Sequence, residues 1–175
     1  VGKDTVFVTV KGEAPNTLFS FDTVCIGDTT TFLDLSSLSP PSSIIEWDWD
    51  FGDGQSSSLQ SPSHLFSTLD TFFVSLTTVS DSGCSSSFYD SVFIKDRAEV
   101  TFTSWFDEGG CTDQHVIFSE QITSNIEVAS LNWNFGDEQF SSDGNPSHLY
   151  ETTGTFNVSL SVETSNGCVS QFQDS

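Results

Sequence analysis

Carboxylates, histidines and cysteines are the side chains in this sequence that could do chemistry. Asp48, Asp50 and Asp53 stand in the segment Trp-Asp-Trp-Asp-Phe-Gly-Asp-Gly at 47–54, and His64 follows shortly after. Clustered carboxylates are the oxygen donors a Ca²⁺ ion takes, and a carboxylate beside an imidazole is a common acid–base pair. Asp48-x-Asp50-x-x-Asp53 approaches a helical-hand calcium loop, but it lacks the distal Glu and sits where a strand meets a turn. A Ca²⁺ site needs about six to eight converging oxygens, and no such set can be named. The expectation is therefore no cofactor, with no metal ligand assigned. The acidic surface would attract divalent ions, Ca²⁺ among them, and a domain junction is the place expected for a site.

The second view of the same residues is more telling, because they occur twice. Leu-Asn-Trp-Asn-Phe-Gly-Asp-Glu at 131–138 repeats 47–54, and Asn-Pro-Ser-His-Leu-Tyr at 145–150 repeats Ser-Pro-Ser-His-Leu-Phe at 61–66. Each match is offset by 84 positions, a length that suits a small domain and not a solenoid unit. The second copy carries Asn132 and Asn134 where the first has acids, and Glu138 where the first has Gly54. Duplicated chemistry is an odd design for a catalyst. No nucleophile elbow, zinc-protease helix, phosphate loop or dinucleotide fingerprint occurs. No catalytic residue is expected, and the chain does not read as an enzyme.

Asp53 and Asp137 read instead as turn-locking residues. Gly52 and Gly54 flank Asp53, which suits a tight turn with positive φ and a side-chain hydrogen bond to the backbone. His64 and His148, one per copy, read as hydrogen-bonded structural residues.

The four cysteines, Cys25, Cys84, Cys111 and Cys168, recur at matched places in the two copies. None has a His or a second Cys at zinc-ligand spacing, so disulfides formed in an oxidising compartment are the better reading.

Charge narrows the partners. Twenty-five acids against four basic residues leave a formal net charge of −21. Such a surface repels nucleic acid and anionic membranes. No stretch approaches the roughly 18 apolar residues that span a bilayer.

The elements that must carry these residues are strands. Thr30–Leu35, Phe73–Leu76 and Phe156–Val162 alternate apolar and polar side chains, and Gly, Asn, Asp and Pro punctuate them at short intervals. Seven or so short strands per copy predict an all-β chain of two sandwiches. In 47–51 the alternation puts Trp47, Trp49 and Phe51 on one face and Asp48 and Asp50 on the other. The aromatic face should be core, with Trp49, Phe51 and Phe32 in one sandwich and Trp133, Phe135 and Phe118 in the other.

With these motifs in order, Trp-Asp-Phe-Gly-Asp-Gly, Ser-Pro-Ser-His-Leu-Phe and Asp-Thr-Phe-Phe-Val-Ser-Leu at 70–76, the sequence resembles tandem polycystic-kidney-disease (PKD) domains. The paired-cysteine variety, with Asn-Gly-Cys in the last hairpin, is similar to arrays in large secreted and cell-surface proteins of Bacteroidetes, gliding and adhesion proteins among them. The resemblance implies immunoglobulin-like sandwiches and an extracellular or cell-surface location. The expected layout is a closing strand of a preceding repeat at 1–12, a first domain at 13–96 and a second at 97–175 that lacks its last strand. Both ends then cut through a repeat, as in a window on a longer protein. The Asp-Ser/Thr-aliphatic pattern of O-glycosylation in that phylum makes Thr5, Thr23 and Ser91 candidates, with Thr29 a looser match.

Two cysteine pairings stay open. Sequence order suggests Cys25–Cys84 and Cys111–Cys168. Sandwich topology puts Cys25 and Cys84 at opposite ends, since a strand of ten residues spans about 33 Å and a disulfide needs Cα atoms within roughly 7 Å. Cys25 would then pair with Cys168 across the junction, and Cys84 and Cys111 with neighbouring repeats.

The functional expectation is a structural repeat segment, a rigid stalk or fibre of an adhesin or gliding filament. Its partners would be neighbouring repeats, and other cell-surface proteins or glycans. The alternatives are a carbohydrate- or protein-binding module, or spacer domains of a secreted hydrolase.

Overall fold

In the computed structural model the described residues are 12–106 and 115–175. Thr5, Cys111 and nearly all of the expected closing strand at 1–12 lie outside them. The chain divides into two compact units, Val1–Ile94 and Lys95–Ser175.

The first unit is built from β1 (Phe19–Phe21), β2 (Thr30–Asp34), β3 (Ile44–Asp50), β4 (Ser56–Ser57), β5 (Ser63–His64), β6 (Thr71–Ser80) and β7 (Ser85–Phe93). They form two antiparallel sheets, ordered β1-β2-β5 and β4-β3-β6-β7. Strict alternation on β6 drives this arrangement. Phe72, Val74, Leu76, Thr78 and Ser80 are buried, and the residues between them face outward. Trp49 and Phe32 are fully buried between the sheets, each worth roughly 2–3 kcal/mol relative to exposure. Phe19 and Phe32 meet the Trp49 ring at 5.0 and 5.3 Å between centroids, in tilted arrangements favoured by the ring quadrupoles. The Trp49 indole N–H donates to the Leu59 carbonyl at 2.9 Å, so no polar atom of that ring is buried unpaired.

The second unit repeats this with β8 (Glu99–Phe106), β9 (His115–Thr123), β10 (Val128–Asn134), β11 (Phe140–Ser141), β12 (Ser147–Leu149), β13 (Val158–Thr164) and β14 (Val169–Asp174). Its sheets are ordered β12-β9-β8 and β11-β10-β13-β14. Trp133, Phe118 and Phe135 occupy the places of Trp49, Phe32 and Phe51, and the Trp133 indole donates to the Asp143 carbonyl at 3.0 Å. Each unit is an all-β sandwich, as the alternation predicts.

Three differences between the cores are informative. Thr17 and Thr78, both buried, share a 2.7 Å hydroxyl–hydroxyl hydrogen bond in the first unit. The matching positions of the second unit are Val100 and Val162, in its apolar core. Trp47 departs from the expected core face: it is half-buried at the margin of the cluster, and its indole N–H donates to Asp34 Oδ2 at 2.7 Å. The second unit has Leu131 there, and Oε2 of Glu120, the counterpart of Asp34, is buried without a hydrogen-bond partner.

Candidate functional site

The turn between β3 and β4 holds the duplicated acid and the route to its histidine. Phe51 N–H donates to the Gln55 carbonyl at 3.1 Å and closes the turn. Gly52 has φ 77°, and a Cβ built on it would lie 2.7 Å from the Phe73 carbonyl oxygen, so both conformation and space demand glycine. Asp50 Oδ1 accepts from Gly52 N–H at 2.9 Å, and Asp53 Oδ1 accepts from Gln55 N–H at 3.0 Å. These are side-chain turns of the kind Asp and Asn make.

The other oxygen of Asp53, Oδ2, lies 2.7 Å from His64 Nε2. His64 is buried and belongs to the three-stranded sheet, whereas the turn belongs to the four-stranded one. The pair therefore ties the two sheets together at one end of the sandwich. The imidazole lies parallel to the Phe51 ring at 4.0 Å and edge-on to Phe66 at 4.6 Å. Burial pushes the Asp53 carboxyl up. The His64 hydrogen bond, the Gln55 amide and the imidazole charge outweigh it and hold the carboxyl below its ordinary value.

The second unit repeats the assembly. Asp137 Oδ2 sits 2.7 Å from His148 Nε2, and His148 stacks on Phe135 at 4.1 Å. Asp137 is held low by the same balance, burial opposed by His148 and the Gln139 amide. Asn134 Oδ1 accepts from Gly136 N–H at 2.9 Å, the same bond Asp50 makes. An amide oxygen does this work as well as a carboxylate, so position 50 needs an acceptor and not a charge. Glu138 takes the place of Gly54 and keeps φ at 70°, a rare conformation for a residue with a side chain. Tyr150 replaces Phe66, and its hydroxyl donates to the Phe135 carbonyl at 3.0 Å. Burial, followed by the nearby Asp137 charge, pushes its pKa up to about 12.

This arrangement holds a turn. The imidazole nitrogen facing the acid is committed to it, and Phe51 or Phe135 covers a ring face, which leaves no room there for a substrate. Asp48 and Asp50 are exposed on the outer face of β3, away from the His64 side. Among the described residues no three His, Cys, Asp or Glu side chains gather as a metal would need.

Cys25 and Cys168 are disulfide-bonded, and Cys84 carries a free thiol. This corrects the sequential Cys25–Cys84 bridge. The reason is the length of the unit. Gly12, before β1, is close enough to the β6–β7 hairpin that a Cβ on it would meet Cys84 Sγ at 2.8 Å. Cys25 lies beyond the far end of β1, and the β7 strand that starts next to Cys84 runs about 30 Å. Thr23, Thr29 and Ser91 are exposed, the first two in the β1–β2 connection and Ser91 on β7.

Sequence reasoning missed the Asp34–Trp47 bond and the exposed aromatic residues Phe73, Tyr89 and Phe93. For Phe73 the signal was present, since inward Val74 and Leu76 put its parity outside.

A family model for the PKD domain matches residues 12–95 and again 99–175. The chain belongs to the PKD-domain family. A curated relative, collagenase ColA of Bacillus cereus, is 38% identical over 66 residues, which is 37% of this chain and 7% of the collagenase. Among solved structures, the PKD1 domain of Vibrio anguillarum Epp is 24% identical and covers 50% of this chain and 100% of its own, with TM-score 0.46. The PKD1 domain of the Vibrio cholerae metalloprotease PrtV is also 24% identical, covering 47% and 99%, with TM-score 0.44. PKD domains are non-catalytic modules, and this PKD pair with its disulfide-bonded cysteines is a module of a secreted, extracellular protein.

Proposed function

We propose that this PKD pair is a structural segment of a large surface protein, a stiff stalk or fibre in a bacterial adhesin or gliding filament. The observation that carries the reading is the spacing of the two units. Strand β7 ends at Phe93 and β8 begins at Glu99. Ile94 is already 2% exposed in the first core and Ala98 is 3% exposed in the second. Only Lys95, Asp96 and Arg97 lie between these two core residues, and all three are themselves half-buried, with no Gly/Ser or Pro-rich spacer to give slack. Folded units joined so closely serve reach: they carry something away from a surface. Neighbouring repeats are the natural partners of such a segment.

Small-angle scattering on the oxidised chain tests it. One narrow distribution of interunit angles is expected. A broad distribution, as from two freely tumbling domains, would refute the stiff stalk.

A second reading is favoured by the ColA match: PKD domains that act as spacers or substrate-binding modules in a secreted hydrolase. A glycan- and collagen-binding screen of the chain tests the substrate-binding form of this reading, because a pure spacer or stalk binds neither.

A further inference from the structure

The two units share their cores but not their outer faces. On the four-stranded sheet of the first unit, Phe73, Tyr89 and Phe93 point away from the core and are 73%, 69% and 58% exposed. Phe73 pairs with Ser91, Tyr89 with Ser75 and Phe93 with Thr71. Phe73 is therefore the diagonal neighbour of both other rings, within reach of large side chains. The positions of Phe73 and Tyr89 are Asn157 and Gln173 in the second unit, which buries the same Val158 and Leu160 beneath them. The sandwich does not need these aromatics. A contiguous apolar row kept in water marks an interaction surface.

The rest of this face is acidic. Asp50 pairs with Ser75, which pairs with Tyr89, so Asp50 and Tyr89 share one row about 10 Å across. Asp48 heads the next row, through Thr77 and Ser87. No Lys or Arg occurs on β3, β4, β6 or β7.

Rings beside carboxylates suit one chemistry above others. A guanidinium or ammonium group lies over an aromatic face, its aliphatic stem covers apolar surface, and its charge reaches an acid. The net charge of −21 adds long-range attraction for the same partner and excludes polyanions. A neutral glycan would use the rings and leave the acids idle. We propose that this face of the first unit docks an extended protein segment rich in Arg and Lys.

Nuclear magnetic resonance titration of the 175-residue chain tests it, with a decapeptide of alternating Arg and Ser as probe. A Gln-Ser peptide and a neutral β-glucan oligosaccharide are the comparisons. The Arg peptide should shift amides of 73–77 and 87–93 and leave the second unit quiet. Phe73→Asn with Tyr89→Gln installs the second unit's residues and changes no charge. It should weaken binding about fivefold or more, from lost cation–π and stem contacts. Should the double variant unfold on melting, Tyr89→Gln alone gives the same reading. Three outcomes overturn the proposal: binding unaffected by the substitutions, which is diffuse charge attraction; binding of the glucan in place of the peptide; or no binding by the peptide.

Discussion

His64 lies flat on Phe51, the ring planes 3° from parallel, with its Nε2 2.7 Å from Asp53 Oδ2. One histidine thus joins a turn, an aromatic core and the opposite sheet. The acid it holds is titrated at a depressed value, and this gives a pH signature. A carboxyl lowered by folding contributes stability above its unfolded value, near 3.8, and loses it as the pH falls through the lower folded value. Asp53→Asn with Asp137→Asn should lower Tm at every pH above about 5, and the gap to the native chain should shrink below about pH 4. The difference between the two proteins is the quantity to follow, because acid also relieves repulsion among the other carboxylates. A gap that stays constant down to pH 2 would show that the carboxylate charge plays no part.

The hydroxyl pair Thr17–Thr78 predicts non-additive substitutions. Thr17→Val alone leaves the buried Thr78 hydroxyl without this partner and should cost about 1–3 kcal/mol, whereas the Thr17 hydroxyl also reaches the Ser86 carbonyl at 3.1 Å. Adding Thr78→Val reproduces the valines of the second unit and should recover most of that loss. Urea denaturation of the single and double variants measures the coupling. Strict additivity would mean that the 2.7 Å contact carries no weight in the first unit.

Glu138 is strained where Gly54 is relaxed. A left-handed conformation costs a residue with a Cβ roughly 1–2 kcal/mol, and glycine's greater unfolded-state entropy takes back about half of this. Glu138→Gly should therefore raise the melting temperature of the second unit by a few degrees, at most about 1 kcal/mol. Gly136→Ala, two residues earlier, should be severe, because its Cβ would sit 2.6 Å from the Asn157 carbonyl oxygen. Calorimetry that found both changes neutral would contradict the turn geometry.

The cysteines make a chemical prediction. Cys25 and Cys168 are oxidised and Cys84 is not. We propose Cys25–Cys168 as the pair, a staple across the junction. Peptide mapping of the unreduced chain should give a peptide joining these two residues, and alkylation without reductant should label Cys84. A Cys111–Cys168 peptide would remove the staple from the stalk.

Much of this was legible in the sequence, and the exceptions share a cause. Period-two alternation on β6 and the doubled Trp-x-Phe-Gly-Asp motif locate both cores, because burial depends on which face a residue shares. Trp47 has inward parity but half escapes the core, because parity says nothing of where along a strand the core stops. The β3–β6 register also shifts between Ile44 and Glu46, just ahead of it. Thr17 and Thr78 are buried polar residues whose pairing was not legible, since alternation cannot see that two hydroxyls satisfy each other. The pairing of His64 with Asp53 joins different sheets, and only the folded topology brings them together.

The exchange of a threonine pair for a valine pair also bears on how neighbours in a repetitive chain avoid one another while folding. Two units with nearly the same strands, tethered a few residues apart, meet at high effective concentration and are prone to trade strands. A β6 built into the second unit would press the Thr78 hydroxyl against Val100, with no hydroxyl there to meet it. That hybrid buries an unmatched hydroxyl at a cost of about 1–3 kcal/mol. The difference works as an address on β6, favouring its own sandwich over the one next door.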